Sequence, residues 1–290
     1  FLHAMAQKNI PVILVNARLS RRAFDGYRRL GPATPLFFSN LTRVLVQTRR
    51  DMERFNALGV PASRLAVAGN IKFDQPVNVL DEAERTAFVK WFHLTDTHRL
   101  WIAGSTHPGE ESLLWDVFQQ VRKRVPGLKL LLAPRDPARC ARVVDEISKK
   151  GGRPVLLSTT RSQPKEADVM LLDCLGVLAN AYAVCDVAFI GGSLVPCGGH
   201  NPLEPAMFEK PVLFGPHMED FAGVADLLTA RKGAVQVEDA GSLARHLTDL
   251  LTRPDRAAEM GHNASAVFQE NAGAVARTLA VLSQLGMGKR

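Results

Sequence analysis

The strongest constraint on the fold is the alternation of short apolar runs with amphipathic stretches of helical period along nearly the whole 290-residue chain. Parallel strands joined by crossover helices give this pattern, because a strand buried on both faces reads as a short, continuous apolar segment. We therefore predict an α/β fold with parallel sheets covered by helices. The predicted strands lie at 12–16, 43–46, 65–68, 100–103, 128–133, 155–157, 169–171, 187–190, 212–214 and 234–237.

The strand rhythm stops between Asn70 and Thr97, where a polar, helical stretch with Pro76 intervenes. Because 290 residues exceed the usual size of one domain, two domains are expected. Residues 1–8 read as the tail of a helix that enters the first strand, so we expect the first domain to be incomplete. The predicted division is an N-terminal remainder at 1–75, a linker at 76–96, a ligand-binding domain at 97–263 and a C-terminal helix at 264–290 that packs back on the first domain.

The composition favours an anionic partner and argues against two kinds of cross-link. The formal net charge of +7 suits a phosphorylated substrate, a nucleotide, an acidic lipid surface or nucleic acid. The four cysteines form no CxxC pair and show no metal-site spacing, so neither disulfides nor zinc are expected. No apolar run is long enough to predict a membrane-spanning helix.

A basic helical stretch follows Asn16 and contains a single acid, Asp25. Such a stretch is usually a solvated face, and it also suits the phosphates of a lipid or an anionic membrane surface. Nucleic acid is the weaker interpretation, because no aromatic residues are interleaved in a recognised binding pattern. The arginines concerned are Arg18, Arg21, Arg22, Arg28 and Arg29.

The most informative segment is GGSLVPCGGHNPLEPA at 191–206, directly after a predicted buried strand. Asn201 is a favoured N-cap, Pro202 suits the first helical position, and Glu204 falls at the third, as in a capping box. Free N–H groups at such a helix start bind anions at the carboxyl edge of a parallel sheet, and Ser193 adds a hydroxyl donor. Glycine-rich turns with capping boxes also serve purely structural roles, so the segment alone leaves both interpretations open.

Three further turns follow predicted strands. Arg135, after Pro134, is placed to fork onto phosphate oxygens, unless it is an unpaired surface arginine. His107, in the turn GSTHPGEE, is as well explained by packing or capping as by catalysis. Lys72 follows the third predicted strand, and on position alone it reads as a solvated lysine.

The string GGSLVPCGGHNPLEP resembles the signature of the Kdo transferases, which move 3-deoxy-D-manno-octulosonic acid from CMP-Kdo to a lipid A precursor. The resemblance extends over nearly the whole chain and implies two Rossmann-like domains of the GT-B glycosyltransferase type. Further segments resemble the family in the same order, namely VNARLS at 15–20, VLVQT at 44–48, GNIKFD at 69–74, GSTHPGEE at 104–111, APRDP at 133–137 and FGPHMEDF at 214–221.

The resemblance also implies roles for individual residues. Lys72 is expected to stabilise charge as CMP departs, and Arg18, Arg21 and Arg22 to face the acceptor or an anionic surface. Many family members carry Glu where this chain has Val177, which leaves only backbone contacts to be expected there. The implied CMP-binding residues are Pro134, Arg135, Leu175, Gly176, Val177, Ser193, Asn201, Pro202, Leu203 and Glu204.

For the reaction, the resemblance implies inverting displacement of CMP by a hydroxyl of the lipid A precursor lipid IVA, without metal or cofactor. The family's general-base glutamate and its membrane anchor lie upstream of the residue that matches Phe1, so this chain alone is expected to bind the donor without transfer. The expected location is the cytoplasmic face of the inner membrane of a Gram-negative bacterium, with no nucleic-acid partner. Two alternatives stay open: a nucleotide-binding module without transfer activity, and another GT-B enzyme that uses a UDP-sugar, such as a transferase or an epimerase.

Overall fold

The computed structural model describes residues 2–74, 80–160 and 167–285 of the chain. It divides into two compact units, one comprising Phe1–Pro76 with Gln269–Arg290 and the other Val77–Phe268. Residues 76–79 of the predicted linker and 286–290 of the predicted C-terminal helix lie outside the described residues. Within the part of the chain that is described, no helix is both long enough and apolar enough to cross a membrane.

The first unit contains a parallel sheet of three strands in the order β1-β2-β3. The central strand carries its core, because Val44, Leu45 and Val46 are completely buried. The strands are β1 (Ile13–Ala17), β2 (Arg43–Val46) and β3 (Leu65–Val67), and the helices before and between them are α1 (Leu2–Gln7), α2 (Arg21–Arg28), α3 (Thr34–Phe38) and α4 (Arg49–Ala57).

The second unit is built on a seven-stranded, all-parallel sheet. The order of its strands is β10-β9-β8-β4-β5-β7-β6. Strand β4 is therefore central, with β5 on one side and β8 on the other. The strands are β4 (Arg99–Thr106), β5 (Leu128–Pro134), β6 (Val155–Leu156), β7 (Val169–Leu171), β8 (Val187–Ile190), β9 (Val212–Phe214) and β10 (Ala234–Gln236).

Both faces of this sheet are buried, since alternate residues of a strand point to opposite sides. Trp101 and Ala103 belong to one apolar cluster, whereas Leu100 and Ile102 belong to another. The helices of the unit are α5 (Glu82–Trp91), α6 (Glu110–Val121), α7 (Cys140–Lys149), α8 (Leu157–Thr160), α9 (Leu178–Ala181), α10 (Leu203–Ala206), α11 (Ala222–Ala230) and α12 (Ala240–Thr252). Helix α13 (Pro254–Asn271) then carries the chain back to the first unit.

The stretch predicted as a linker is an integral part of the second unit. Phe88 and Trp91 of α5 and the following Phe92 pack onto the sheet, and Phe92 is completely buried. The prediction of a linker over 80–96 is therefore wrong, because three aromatic side chains in a polar-looking segment attach it to the core.

The C-terminal segment forms two helices rather than one continuous helix. The chain turns at Gly273, whose φ of +90° falls in the left-handed region, and α14 (Ala274–Gln284) begins at the next residue. Within the first unit, the Asp74 carboxylate accepts the backbone N–H groups of Gly273 and Val275. The guanidinium of Arg277 donates to the carbonyls of Ala68, at 2.7 Å, and Ala272, at 3.1 Å.

Candidate functional site

Turns that leave adjacent strands meet at the carboxyl edge of the second sheet. The turns after β4, β5 and β8 are neighbours there because β4 pairs with both other strands. The chain moves from β4 to β5 on one side and later fills the other side with β8, so β4 lies at the topological switch point. Open parallel sheets bind their ligands in the crevice at that point.

A cavity of about 270 Å³ opens at this edge. Of the predicted nucleotide-binding residues it brings together five, which are Pro134, Arg135, Leu175, Gly176 and Glu204. Ser105, at the end of β4, completes the side nearest the central strand. Its volume is near the lower end of the range of roughly 300 to 1,000 Å³ that is usual for ligand pockets.

Arg135 and Glu204 supply opposite charges to this cavity. Arg135 is exposed, and its backbone N–H donates to Thr106 O at 3.0 Å, which fixes the turn. Glu204 is half-buried and accepts a hydrogen bond from the Asn201 amide at 3.4 Å. Burial raises the pKa of the Glu204 carboxyl, while the Asn201 hydrogen bond and the Arg135 charge oppose that rise. The guanidinium of Arg135 and the carboxyl group of Glu204 thus line the same cavity.

The predicted helix start is shifted by one residue, because α10 (Leu203–Ala206) begins at Leu203 and its N-cap is Pro202 rather than Asn201. The predicted capping box is not formed, since Glu204 accepts from the Asn201 side chain instead of its backbone N–H. The Asn201 side chain accepts the N–H of Leu203 at 3.1 Å, and α10 extends only to Ala206. Pro202 and Leu203 are buried and support the turn, and neither lines the cavity.

The turn after β7 lines the opposite side of the cavity. Leu175 is 82% exposed, and Gly176 has a φ of +76°. The side chain of Val177 packs against the apolar cluster on the α5 side of the sheet instead of lining the cavity. A side-chain contact from position 177 to a ligand in this cavity is therefore not available.

The glycine-rich turn after β8 donates its N–H groups to a protein carboxylate. Glu110, at the first position of α6, has no exposed surface. Its carboxylate accepts from the N–H groups of Gly192 at 2.7 Å, Ser193 at 3.1 Å and Leu194 at 3.0 Å, and from that of His107 at 2.9 Å. Burial raises the pKa of Glu110, and these N–H groups act in the opposite direction. The N–H groups of Gly192, Ser193 and Leu194 are therefore satisfied within the protein. The anion site predicted at the helix start around Asn201 concerns a different turn and stays a prediction.

Ser193 likewise has a structural role. It is completely buried, its hydroxyl donates to Ile190 O, and the same oxygen accepts the N–H of Gly215 at 2.7 Å. The prediction that Ser193 presents a hydroxyl donor to the nucleotide is therefore corrected. Instead, Ser193 joins the turns after β8 and β9.

A pair of histidines stands beside these turns. The Nε2 atoms of His107 and His200 are 2.7 Å apart, and the two rings are nearly parallel, with 14° between their planes. His107 follows β4, and His200 lies 93 positions later in the glycine-rich segment. The pKa of His200 is lowered by burial, by His107 and by Arg135, against a smaller opposite effect of Asp220.

The remaining predicted residues belong to the first unit. Lys72 is half-buried in a 3₁₀ turn (Ile71–Phe73) after β3, and its N–H donates to the Asn70 side chain at 3.0 Å. Arg18, Arg21 and Arg22 are exposed at and before the start of α2. Exposed apolar side chains follow in the same unit, including Leu36 at 72% and Phe37 at 50% exposure.

Comparison with known sequences identifies the family. The family profile described as 3-deoxy-D-manno-octulosonic-acid transferase (kdotransferase) matches residues 1–75. The 3-deoxy-D-manno-octulosonic acid transferase of Haemophilus influenzae is 33% identical over 97% of this chain, and that of Bordetella pertussis is 32% identical over 97%. The chain belongs to the Kdo transferase family. It spans 66% and 65% of the lengths of these two relatives, so the activity of the whole protein is a matter for proposal.

Solved structures agree on the fold of this Kdo transferase chain. The C-terminal CMP-Kdo binding domain of WaaA from Acinetobacter baumannii matches with a TM-score of 0.59 and 24% identity, over 64% of this chain and 97% of that domain. Anabaena Alr3699/HepE in complex with UDP matches with a TM-score of 0.61 and 14% identity, over 98% of this chain and 74% of its own. The predicted fold class, α/β of the GT-B type, is confirmed.

Two features of the site were missed in the sequence of this family member. The sequence did not single out Glu110 within GSTHPGEE or His200 within the glycine-rich segment. Both contacts cross between strands β4 and β8, which are separated by more than 80 residues in sequence. These contacts could have been predicted only from the order of the strands in the sheet, and the periodicity of the sequence does not give that order.

Proposed function

We propose that this chain binds the CMP part of CMP-Kdo at the carboxyl edge of its second sheet, as part of a Kdo transferase. The observation that carries the proposal is the cavity that joins Arg135 and Glu204 in a member of the Kdo transferase family. A guanidinium beside the cavity suits phosphate oxygens, and a half-buried carboxylate suits the hydroxyls of a ribose.

The proposed reaction is transfer of Kdo from CMP-Kdo to the lipid A precursor lipid IVA in lipopolysaccharide synthesis. A hydroxyl of the acceptor attacks the anomeric carbon, the bond from that carbon to the phosphate oxygen breaks, and CMP leaves with inversion. The charge that develops on CMP is stabilised by a cation, and Lys72 is our candidate for that role. The general base is expected to be a glutamate, as the family resemblance implies.

The proposal for the acceptor and the membrane rests on exposed side chains of the first unit. The exposed arginines Arg18, Arg21 and Arg22 lie in the same unit as the exposed Leu36 and Phe37, a combination that suits phosphates and acyl chains. We propose an anionic membrane surface as the partner, at the cytoplasmic face of the inner membrane. Transfer without a metal or cofactor stays a prediction, and retention of product formation by the whole transferase in excess chelator tests it.

Calorimetric titration of the chain with CMP and with UMP tests the nucleotide site. We expect CMP to bind more tightly than UMP. Equal or tighter binding of UMP would favour the alternative of a GT-B enzyme that uses a UDP-sugar. Absence of binding by either nucleotide would refute the assignment of the cavity.

A further inference from the structure

The contact between His107 and His200 is not explained by the proposed nucleotide site. Neither ring lines the cavity, yet both rings are only half-buried and their Nε2 atoms are 2.7 Å apart. A hydrogen bond of that length between two imidazoles requires one ring to donate and the other to accept.

The surrounding backbone holds the pair in place. Gly192, at a φ of +67°, lies against both rings, and a Cβ atom there would be 3.2 Å from the Cδ2 atom of each ring. One carboxylate oxygen of Glu110 accepts the N–H groups of both His107 and Gly192. The buried carboxylate of Glu110 therefore fixes the backbone at both His107 and Gly192.

Mutual hydrogen bonding makes the outer nitrogens of the neutral pair unequal. The ring that donates from Nε2 has an unprotonated Nδ1, and the ring that accepts at Nε2 carries its proton on Nδ1. When the pair takes up one further proton, both Nδ1 atoms become donors and the pair becomes cationic. Such a pair binds an anion more tightly after it has gained a proton.

Charged groups from three neighbouring elements act on the pair. Arg135, from the turn after β5, and Asp220, from the segment after β9, act on His200 with opposite signs. Glu110 of α6 is bonded to the backbone of His107. Because burial, His107 and Arg135 lower the pKa of His200, its ring is expected to be neutral near pH 7 without a ligand.

We infer that the His107–His200 pair binds the carboxylate of the donor's sugar acid and takes up a proton as it does so. This inference rests on the proposed nucleotide site, because Arg135 both lines the cavity and acts electrostatically on His200. In a CMP ester of a 2-ulosonic acid, the carboxylate and the phosphate oxygen are attached to the same carbon. A phosphate on Arg135 therefore brings the carboxylate close to the pair, outside a cavity that holds the nucleoside.

The test compares CMP-Kdo with the methyl phosphodiester of CMP, by titration of the whole chain between pH 8 and pH 6. Both ligands carry one phosphate charge over this range, and only CMP-Kdo carries the carboxylate. We expect the affinity for CMP-Kdo to rise as the pH falls, by up to about tenfold per pH unit, and then to level off below the pKa of His200 in the free chain. The affinity for the methyl ester should change by less than about twofold.

Proton uptake is measured on the same unmodified chain by calorimetry in two buffers of different ionisation enthalpy. CMP-Kdo should bind with net uptake of a proton near pH 7, and the methyl ester should bind without it. This measurement needs no variant, so it decides the inference even where a substitution prevents folding. Binding of CMP-Kdo without proton uptake would overturn it.

The variants His107→Gln and His200→Gln assign any uptake to the pair, with the exposed His262→Gln as the matched control. Near pH 6.5, each of these two variants should bind CMP-Kdo about tenfold more weakly than the unmodified chain does. Their affinity for CMP-Kdo should no longer depend on pH, and their affinity for the methyl ester should be unchanged. Retention of the pH dependence in both variants would refute the role of the pair and leave the nucleotide site intact. If the unmodified chain does not bind the methyl phosphodiester of CMP, the nucleotide site is refuted, and the inference with it.

Discussion

Arg135 combines an exposed side chain with a firmly held backbone. Its N–H donates to Thr106 O, whereas its guanidinium lies at the cavity and is exposed. We expect Arg135→Ala to weaken CMP binding by about 1.5 to 3 kcal/mol, because a charge-assisted hydrogen bond to phosphate is lost. Thermal stability should barely change, since the side chain is not part of the core. Titration calorimetry and thermal melting measure the two effects.

The exposed Arg153 of the same unit is the matched control for this prediction. Arg153→Ala removes the same charge from the second unit without touching the cavity, so a nonspecific effect of net charge would appear in both variants. Equal losses of affinity in the two variants would return Arg135 to the alternative of an ordinary surface arginine.

Unlike the exposed guanidinium of Arg135, the carboxylate of Glu110 is completely buried and is bonded only to groups of the protein. Four backbone N–H groups converge on its two oxygens. In Glu110→Gln one of these oxygens becomes an NH₂ group that faces donors, so we expect the free energy of unfolding to fall by about 2 to 4 kcal/mol. Urea denaturation measures the change, and the exposed Glu259→Gln on α13 is the control. A loss no greater than that of the control would contradict the assigned role.

At the scale of elements, the turn after β8 packs too closely on the end of β4 for any side chain at Gly191. A Cβ atom there would lie 2.4 Å from Ser105 O, which is backbone and cannot move aside cheaply. We expect Gly191→Ala to lower the free energy of unfolding by about 2 kcal/mol or more and to weaken CMP binding, because Ser105 lines the cavity.

Gly223→Ala provides the matched control for Gly191→Ala. Gly223 lies in α11, and a Cβ atom there meets nothing within 4 Å. Alanine should stabilise that helix by about 0.5 to 1 kcal/mol. Urea denaturation and CMP titration of both variants would reveal opposite signs in stability. If the two variants had equal free energies of unfolding, the turn at Gly191 would be able to accommodate a Cβ atom, contrary to this prediction.

The strands were accessible from the sequence because burial on both faces leaves a direct record in the apolar runs. Each of the ten predicted strands overlaps one strand of the structure, and errors are confined to ends, as at Leu157, which begins α8. The order of strands was not accessible, because it depends on which apolar faces fit together. Segment 80–96 was misjudged for a related reason: three aromatic residues decide its packing, and its average polarity conceals them.

The candidate site divides in the same way. Arg135, which follows a predicted strand, lies at the sheet edge as the βα pattern predicts, and Leu175, which the family resemblance implied, lines the same cavity. The role of Ser193 was misjudged, because the sequence does not show that Ile190 O and the Gly215 N–H would satisfy its hydroxyl. Groups that pair within the protein look, in sequence, the same as groups that await a ligand.

At the scale of the whole molecule, the first unit is assembled from both ends of the sequence. Asp74 accepts N–H groups at the start of α14 from a distance of 199 residues in sequence. It therefore acts as the cap that Gly273, which has no side chain, is unable to provide. The second unit is continuous from Val77 to Phe268. Local opening of the two units is thus expected to be separable.

This separation is tested by Asp74→Ala, with Asp81→Ala as the matched control. Asp81 caps α5 in the second unit, where its carboxylate accepts the N–H of Glu84 at 2.7 Å. Because loss of an N-cap typically costs about 1 kcal/mol, we expect Asp74→Ala to speed amide exchange about fivefold in α14 and the first sheet while leaving the second sheet unchanged. Asp81→Ala should instead speed exchange in α5. Hydrogen-exchange mass spectrometry resolves the segments, and CMP affinity should be retained in Asp74→Ala because the cavity lies wholly in the second unit. Faster exchange throughout both sheets in Asp74→Ala would mean that the two units open together and that the cap stabilises the entire chain.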